Sequence, residues 1–430
     1  MLSPGRSDGG PDAPAGWSAG EVRGFVALLV VLQVLQGAFD RVPAGNVQFT
    51  ESYYLVTYHH GFIRRGLLGE VLRLLFGVPT RGEVDVTADL VVALAVGAVL
   101  VTAELLIRRG TASSYAMAIL VVATPFSIDF FIVDRRPDLL ALVVLVALGI
   151  VLVQVGRNLL PCLVAFGLGF GAMVLVHEDV VLVQIPWAVV LVTVATLGAE
   201  GVVVGGERPG LARILAARLG VLVVPSALAV AALLAFGLPS AGRVRALESD
   251  VAGYHFVGNT VFSYLPDSIA TAMGQVGAIP DSAMVRTLAL GLVLVALQLA
   301  WIARWVRPGL GSPFARRGNR AMGVALAVLV LGAAALLFAT GFDWLRWFAD
   351  CGASWLIVQA FATLLADPGP GGRVGTPTDT TGQVPQPPQD MPGPVDLSHW
   401  LPVLAVYLAA VPPLDDLFIT SQLGHFLLFL

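Results

Sequence analysis

The chain has 430 residues, 57% of them hydrophobic and only 13% charged, with a mean hydropathy of +0.83. That balance excludes an ordinary soluble protein, and a net charge of −4 argues against a nucleic-acid partner. All 25 basic residues are arginine, and the two cysteines, Cys162 and Cys351, are too few for a disulfide framework and suit small packing positions.

Residues 1–22, rich in Gly, Pro, Ser and Asp, predict a disordered tail. Apolar runs follow near 24–39, 87–107, 115–133, 138–156, 159–176, 180–198, 214–237, 286–305, 321–340, 353–366 and 399–412, with a further apolar segment at 417–430. Runs of this length predict an all-α, polytopic transmembrane helical bundle of about 10–12 spans. The bundle occupies 23–366, a Pro/Gly/Thr-rich flexible connection 367–397, and one or two membrane segments 398–430.

Alternating the spans sorts the connections into two sets, between which the arginines divide almost evenly. The dense basic cluster at 304–320 places the set containing the N-terminus in the cytoplasm, so the other connections face outside an inner (plasma) membrane. The extracytoplasmic set then holds 40–86, 134–137, 177–179, 238–285 and 341–352, and with it most of the clustered charge.

The first span ends at Asp40 in "GAFDRVPAG". A carboxylate there stops a helix at water, or serves as a general base towards an acceptor hydroxyl. The connection that follows, 40–86, carries Tyr58, His59, His60, Arg64 and Arg65 before an apolar stripe of Ile63, Leu67, Val71, Leu74 and Leu75. The stripe predicts an amphipathic helix lying in the membrane interface over 62–76. Tyr and His faces suit a sugar ring, and arginine forks suit phosphate oxygens.

"VDRRPDLL" sets Asp134, Arg135, Arg136 and Asp138 between two spans, either as a self-neutralised turn or as a phosphate or pyrophosphate site. "MVLVHEDVV" lies in the middle of the long apolar stretch 159–198, which predicts a hairpin of two spans with His177, Glu178 and Asp179 in a tight turn at the membrane surface. His177 and Glu178 line a site in this reading, and Asp179 caps the next helix. Three adjacent residues cannot all point inward, so no metal site is expected from them alone, and no cofactor motif is present. "GFDWLRWFAD" places Asp343 and Arg346 three apart, among tryptophans of an interfacial belt, where Arg346 meets an anionic lipid headgroup. The 238–285 loop, with Arg243, Arg245, Tyr254 and His255, forms an outer cap.

Three features together resemble the integral-membrane glycosyltransferases of the GT-C type: Asp40 just after the first span, a long first connection with an interfacial helix, and charged short loops at 134–138 and 177–179 on the same face. The resemblance implies transfer of a sugar from a polyprenyl-phosphate donor to a glycan or lipid acceptor at the extracytoplasmic face. It implies Asp40 as the base and Arg64, Arg65, Arg135 and Arg136 as phosphate ligands. A polyprenyl-diphosphate-linked glycan polymerase or ligase, with His60 or His255 activating the acceptor, is an alternative. A secondary transporter is another, opposed by charges at span ends and by the lack of a visible repeat.

Overall fold

The computed structural model describes residues 18–41, 47–124, 127–154, 159–199, 210–254, 260–267, 319–340 and 344–366, with a few positions between 271 and 314. The described residues are mostly helical and contain no strand. They form α1 (Ala19–Arg41), α2 (Val47–Ser52), a 3-10 turn (Tyr53–Leu55), α3 (Leu67–Phe76), α4 (Arg81–Arg109), α5 (Ala112–Ala123), α6 (Ile128–Asp134), α7 (Leu139–Gln154) and α8 (Leu160–Val176). A second 3-10 turn (Glu178–Val181) precedes α9 (Gln184–Ala199), α10 (Leu211–Phe236), α11 (Ala241–Asp250), α12 (Arg320–Thr340) and α13 (Trp344–Ala366). Seven segments of the described chain, two of them joining neighbouring elements (Ala112–Asp134 and Glu178–Gly198), are long and apolar enough to cross a membrane, and α7 and α8 are shorter apolar helices beside them.

Local chemistry fixes several boundaries. Thr80 and Glu83 close a capping box at the start of α4, and Gly110 ends that helix at φ 73, which costs a glycine little. Arg108 and Arg109 in its last turn face the negative end of the helix dipole. α5 and α6 share one apolar segment, Ala112–Asp134, broken near residues 124–127. In lipid the freed backbone groups need partners, and Gln33 of α1 supplies them. Its amide donates to the Val122 carbonyl, while its carbonyl accepts from Ser127 Oγ (3.1 Å) and Asp129 N (3.4 Å).

Packing between α8 and α10 rests on small residues. A Cβ at Gly167 would stand 2.2 Å from the Val221 carbonyl oxygen, and one at Gly171 would stand 3.1 Å from that of Pro225. This glycine pair, four residues apart, lets two backbones touch, the usual device where lipid supplies no hydrophobic drive. α5, α7, α9 and α13 carry the densest core, whereas α12 leaves Val324, Val328, Leu331 and Leu336 exposed, as expected of a helix facing acyl chains.

The expected helices near 24–39, 87–107, 138–156, 159–176, 180–198, 214–237 and 321–340 are all present. Most of the run 286–305, the runs 399–412 and 417–430, the tail 1–17 and the connection 367–397 lie outside the described residues. Two expectations change. The last described span does not begin near 353 but at Trp344, so Arg346, Asp350 and Cys351 belong to a helix rather than a connection. The first three turns of α13 look polar in the sequence because their charges face a buried cluster. The amphipathic helix starts at Leu67 rather than at 62, because Arg65 adopts a left-handed conformation (φ 64) that no α-helix accommodates. Its outer side does expose Val71, Leu74, Leu75 and Phe76.

Candidate functional site

At one end of the bundle, four separated segments bring their charges together around the Tyr53 ring. The imidazole of His177 stacks on that ring at 5.6 Å and 26°. The guanidinium carbons of Arg65 and Arg136 stand 5.4 and 5.2 Å from its centroid, within cation–π range. Phe49, from α2, meets Tyr53 edge-on at 5.5 Å and also carries Arg136 at 5.4 Å.

Arg65 forks onto Glu178. Its Nε donates to Oε2 at 2.8 Å and its Nη2 to Oε1 at 2.5 Å, while Nη1 donates to the Tyr53 hydroxyl at 3.3 Å. Burial works against the Arg65 cation, but the Glu178 carboxylate more than offsets it and holds the group above its ordinary range. Arg64 lies 3.6 Å from the same carboxylate and donates to the Tyr264 carbonyl; burial pulls its guanidinium below the ordinary arginine value. Its Nε is buried without a hydrogen-bond partner among the described residues.

Beside this pair lies a second network. Arg346, in the first turn of α13, donates from Nη1 to Asp138 Oδ2 at 2.7 Å and stands 3.0 Å from Asp179 Oδ2. Asp179 Oδ1 in turn lies 2.6 Å from His177 Nδ1. Asp350, one turn beyond Arg346, is buried and within electrostatic reach of Asp138 and Asp179. Arg136 Nε pairs with Asp134 at 3.1 Å.

The structure thus gathers Arg64, Arg65, Asp134, Arg136, Asp138, His177, Glu178 and Arg346. It sends Arg135 elsewhere. That side chain, 1% exposed, pairs with Asp85 (3.1 Å) and Asp89 (3.0 Å) on α4, and the Tyr54 hydroxyl donates to its carbonyl at 2.7 Å. Arg65 and Arg135 are the non-glycine residues with positive φ among those described, and both anchor charge clusters. Such backbone strain persists only where surrounding contacts over-determine it.

His59 and His60 form a separate group. Their rings meet at 4.8 Å, and His60 Nε2 lies 2.8 Å from Asp250 at the end of α11. Tyr58 stacks on Phe62 at 5.2 Å, and burial raises its phenol. Asp40 sits in the last turn of α1, the helix packed on α6; its side chain, and Asp343 and His255 altogether, lie outside the described residues.

One expectation is corrected. The 177–179 turn does join two spans, but it is not a surface turn: His177 is 1% exposed and Asp179 is buried as well. Asp179 faces Arg346 and His177 rather than acting as a simple cap. The 3-10 geometry turns His177 and Asp179 to one network and Glu178 to the other, so all three residues are engaged. Asp179, Asp350, Tyr53, Glu51, Asp85 and Asp89 had not been singled out as site residues. The i, i+4 spacings of Asp85 with Asp89 and of Arg346 with Asp350 were the available signals.

Chemically, the arrangement offers guanidinium forks, a stacked imidazole and several carboxylates in a shielded setting, the groups that bind and move oxyanions and protons.

No solved structure matches this chain. It is similar to uncharacterized protein Rv1490 of Mycobacterium tuberculosis H37Rv and to uncharacterized protein Mb1527 of Mycobacterium bovis, each 28% identical over 177 residues. Each alignment covers 40% of this chain and 41% of the relative. A family model described as uncharacterised membrane protein Rv1490 matches residues 23–243. That stretch, just over half of the sequence, holds α1 to α10 and nearly all of the charged cluster, and the chain belongs to this family of membrane proteins.

Proposed function

We propose that this membrane protein transfers a glycosyl group from a polyprenyl-phosphate donor to a hydroxyl of a glycan or lipid acceptor, at the extracytoplasmic end of the bundle. The observation that carries the reading is the convergence of Arg64, Arg65, Arg136 and Arg346 from three non-consecutive segments around Tyr53 and His177. Arginine forks in a water-poor setting stabilise the charge that grows on a departing phosphate. The outward apolar side of α3, directly after Arg64 and Arg65, suits the polyprenyl tail. Asp40, closing α1 beside α6, is the residue assigned to accept the acceptor proton, and the bond formed at the anomeric carbon replaces the bond to phosphate.

Native mass spectrometry of the purified protein with a polyprenyl monophosphate tests donor recognition. The expected result is one retained lipid, with retention reduced about tenfold or more in Arg136→Ala, which removes one charge-assisted contact. Equal retention of a polyprenyl alcohol without phosphate would contradict the reading.

A further inference from the structure

We infer that Asp138, His177 and Asp179 form a binding site for a divalent transition-metal cation of the zinc or manganese type. One ligand atom from each lies within 4.8 Å of the others, and all three residues are buried. The donors come from two separate turns, before α7 and after α8, which the packing of α7 on α8 and α9 holds together.

Polar satisfaction points to a ligand. Asp138 Oδ1 and His177 Nε2 are buried without a hydrogen-bond partner among the described residues. His177 Nδ1 touches Asp179 at 2.6 Å but outside hydrogen-bonding alignment. Buried orphan atoms are rare in native proteins, and a cluster of them calls for water or an ion.

Charge points to a cation. Glu178 is matched by Arg64 and Arg65, and Asp134 by Arg136, while Asp138 and Asp179 share the Arg346 guanidinium. Two carboxylates sharing one guanidinium leave negative charge that a bound cation would offset. Arg346 engages Oδ2 of both Asp138 and Asp179, so Asp138 Oδ1 is left for the metal. One imidazole with carboxylates is a mixed nitrogen and oxygen set, suited to zinc or manganese more than to calcium. Bonds of about 2.0–2.2 Å place neighbouring ligands roughly 3–3.5 Å apart, which small side-chain rotations reach from the observed spacing.

The inference is independent of glycosyl transfer, because its test reads binding and not turnover. His59, His60 and Asp250 are a second, exposed set with ligand-like spacing, so the test uses a His59→Ala, His60→Ala background. That protein, reconstituted in nanodiscs and stripped with EDTA, is titrated with MnCl2 and with ZnCl2. The expected result is one bound equivalent, with affinity lowered roughly tenfold or more by Asp138→Asn and by His177→Ala. Electron spin-echo modulation of bound Mn2+ provides a measurement that does not depend on how these variants fold: the background protein should show directly coordinated 14N. Absence of stoichiometric uptake, uptake unchanged in both variants, or bound Mn2+ without 14N modulation would each overturn the site.

Discussion

Arg65 and Glu178, 113 positions apart, meet in a forked ion pair that ties the first connection to the turn between α8 and α9. In this half-buried pair, removing one partner leaves the other charge poorly compensated, which costs more than removing both. Glu178→Ala should therefore lower the thermal midpoint more than the Arg65→Ala, Glu178→Ala double variant does. A double-mutant cycle of melting curves in detergent checks it; strictly additive losses would mean that the pair is not coupled.

Glu51 supplies a pH prediction. Its carboxyl is buried, and desolvation, only partly offset by Arg81 at 3.6 Å, raises it above the ordinary 4.5. A raised folded-state value means that the folded protein holds the proton more tightly than the unfolded chain. Stability from this group is complete below about 4.5 and is lost as pH rises through the folded value. Glu51→Gln should thus gain on the wild type as pH rises from 4 towards 8. Melting midpoints across that range measure the gap, and a gap independent of pH would refute the assignment.

The α8–α10 contact predicts a contrast between two nearby glycines. Gly167→Ala drives a methyl into the Val221 carbonyl and should cost about 1–3 kcal/mol. Gly169→Ala meets only Val144 Cγ1 at 3.7 Å, an ordinary contact, and should be close to neutral. Comparing the two by thermal unfolding isolates backbone approach from helix propensity, since both replacements are the same.

Gln33 offers a further test. Gln33→Leu keeps the size but removes the amide group that bridges the Val122 carbonyl, Ser127 Oγ and the Asp129 N–H across the α5–α6 break. The expected cost is about 1–3 kcal/mol, with faster amide exchange at residues 127–129. Unchanged exchange there would show that other groups satisfy the break.

Much of this arrangement was legible in hydropathy alone. Continuous apolar runs set α1, α4, α7 to α10 and α12 within about six residues, and alternating the spans put Arg65, Asp138, His177, Glu178 and Arg346 on one face, where the structure brings them together. What remained hidden depended on three-dimensional partners. Arg346 and Asp350 looked like a solvated connection because a helix that buries charge against charge carries the same letters as a loop. Arg135 and Arg136 are neighbours with the same chemistry, yet the left-handed backbone at Arg135 turns one to α4 and leaves the other on Tyr53. Local propensity contains no sign of that split. Asp179 had the look of a helix cap because its true partner lies 167 positions later, in α13.

The central claim, glycosyl transfer from a polyprenyl-phosphate donor, is tested most directly by turnover. Protein in nanodiscs is supplied with polyprenyl-phosphate hexoses and pentoses and a membrane glycolipid extract, and free polyprenyl phosphate is quantified by mass spectrometry. The account predicts acceptor-dependent release with at least one donor, abolished by Asp40→Asn in protein that remains folded. Release that persists undiminished in Asp40→Asn, or no release from any donor while a nucleotide sugar supports transfer, would contradict it.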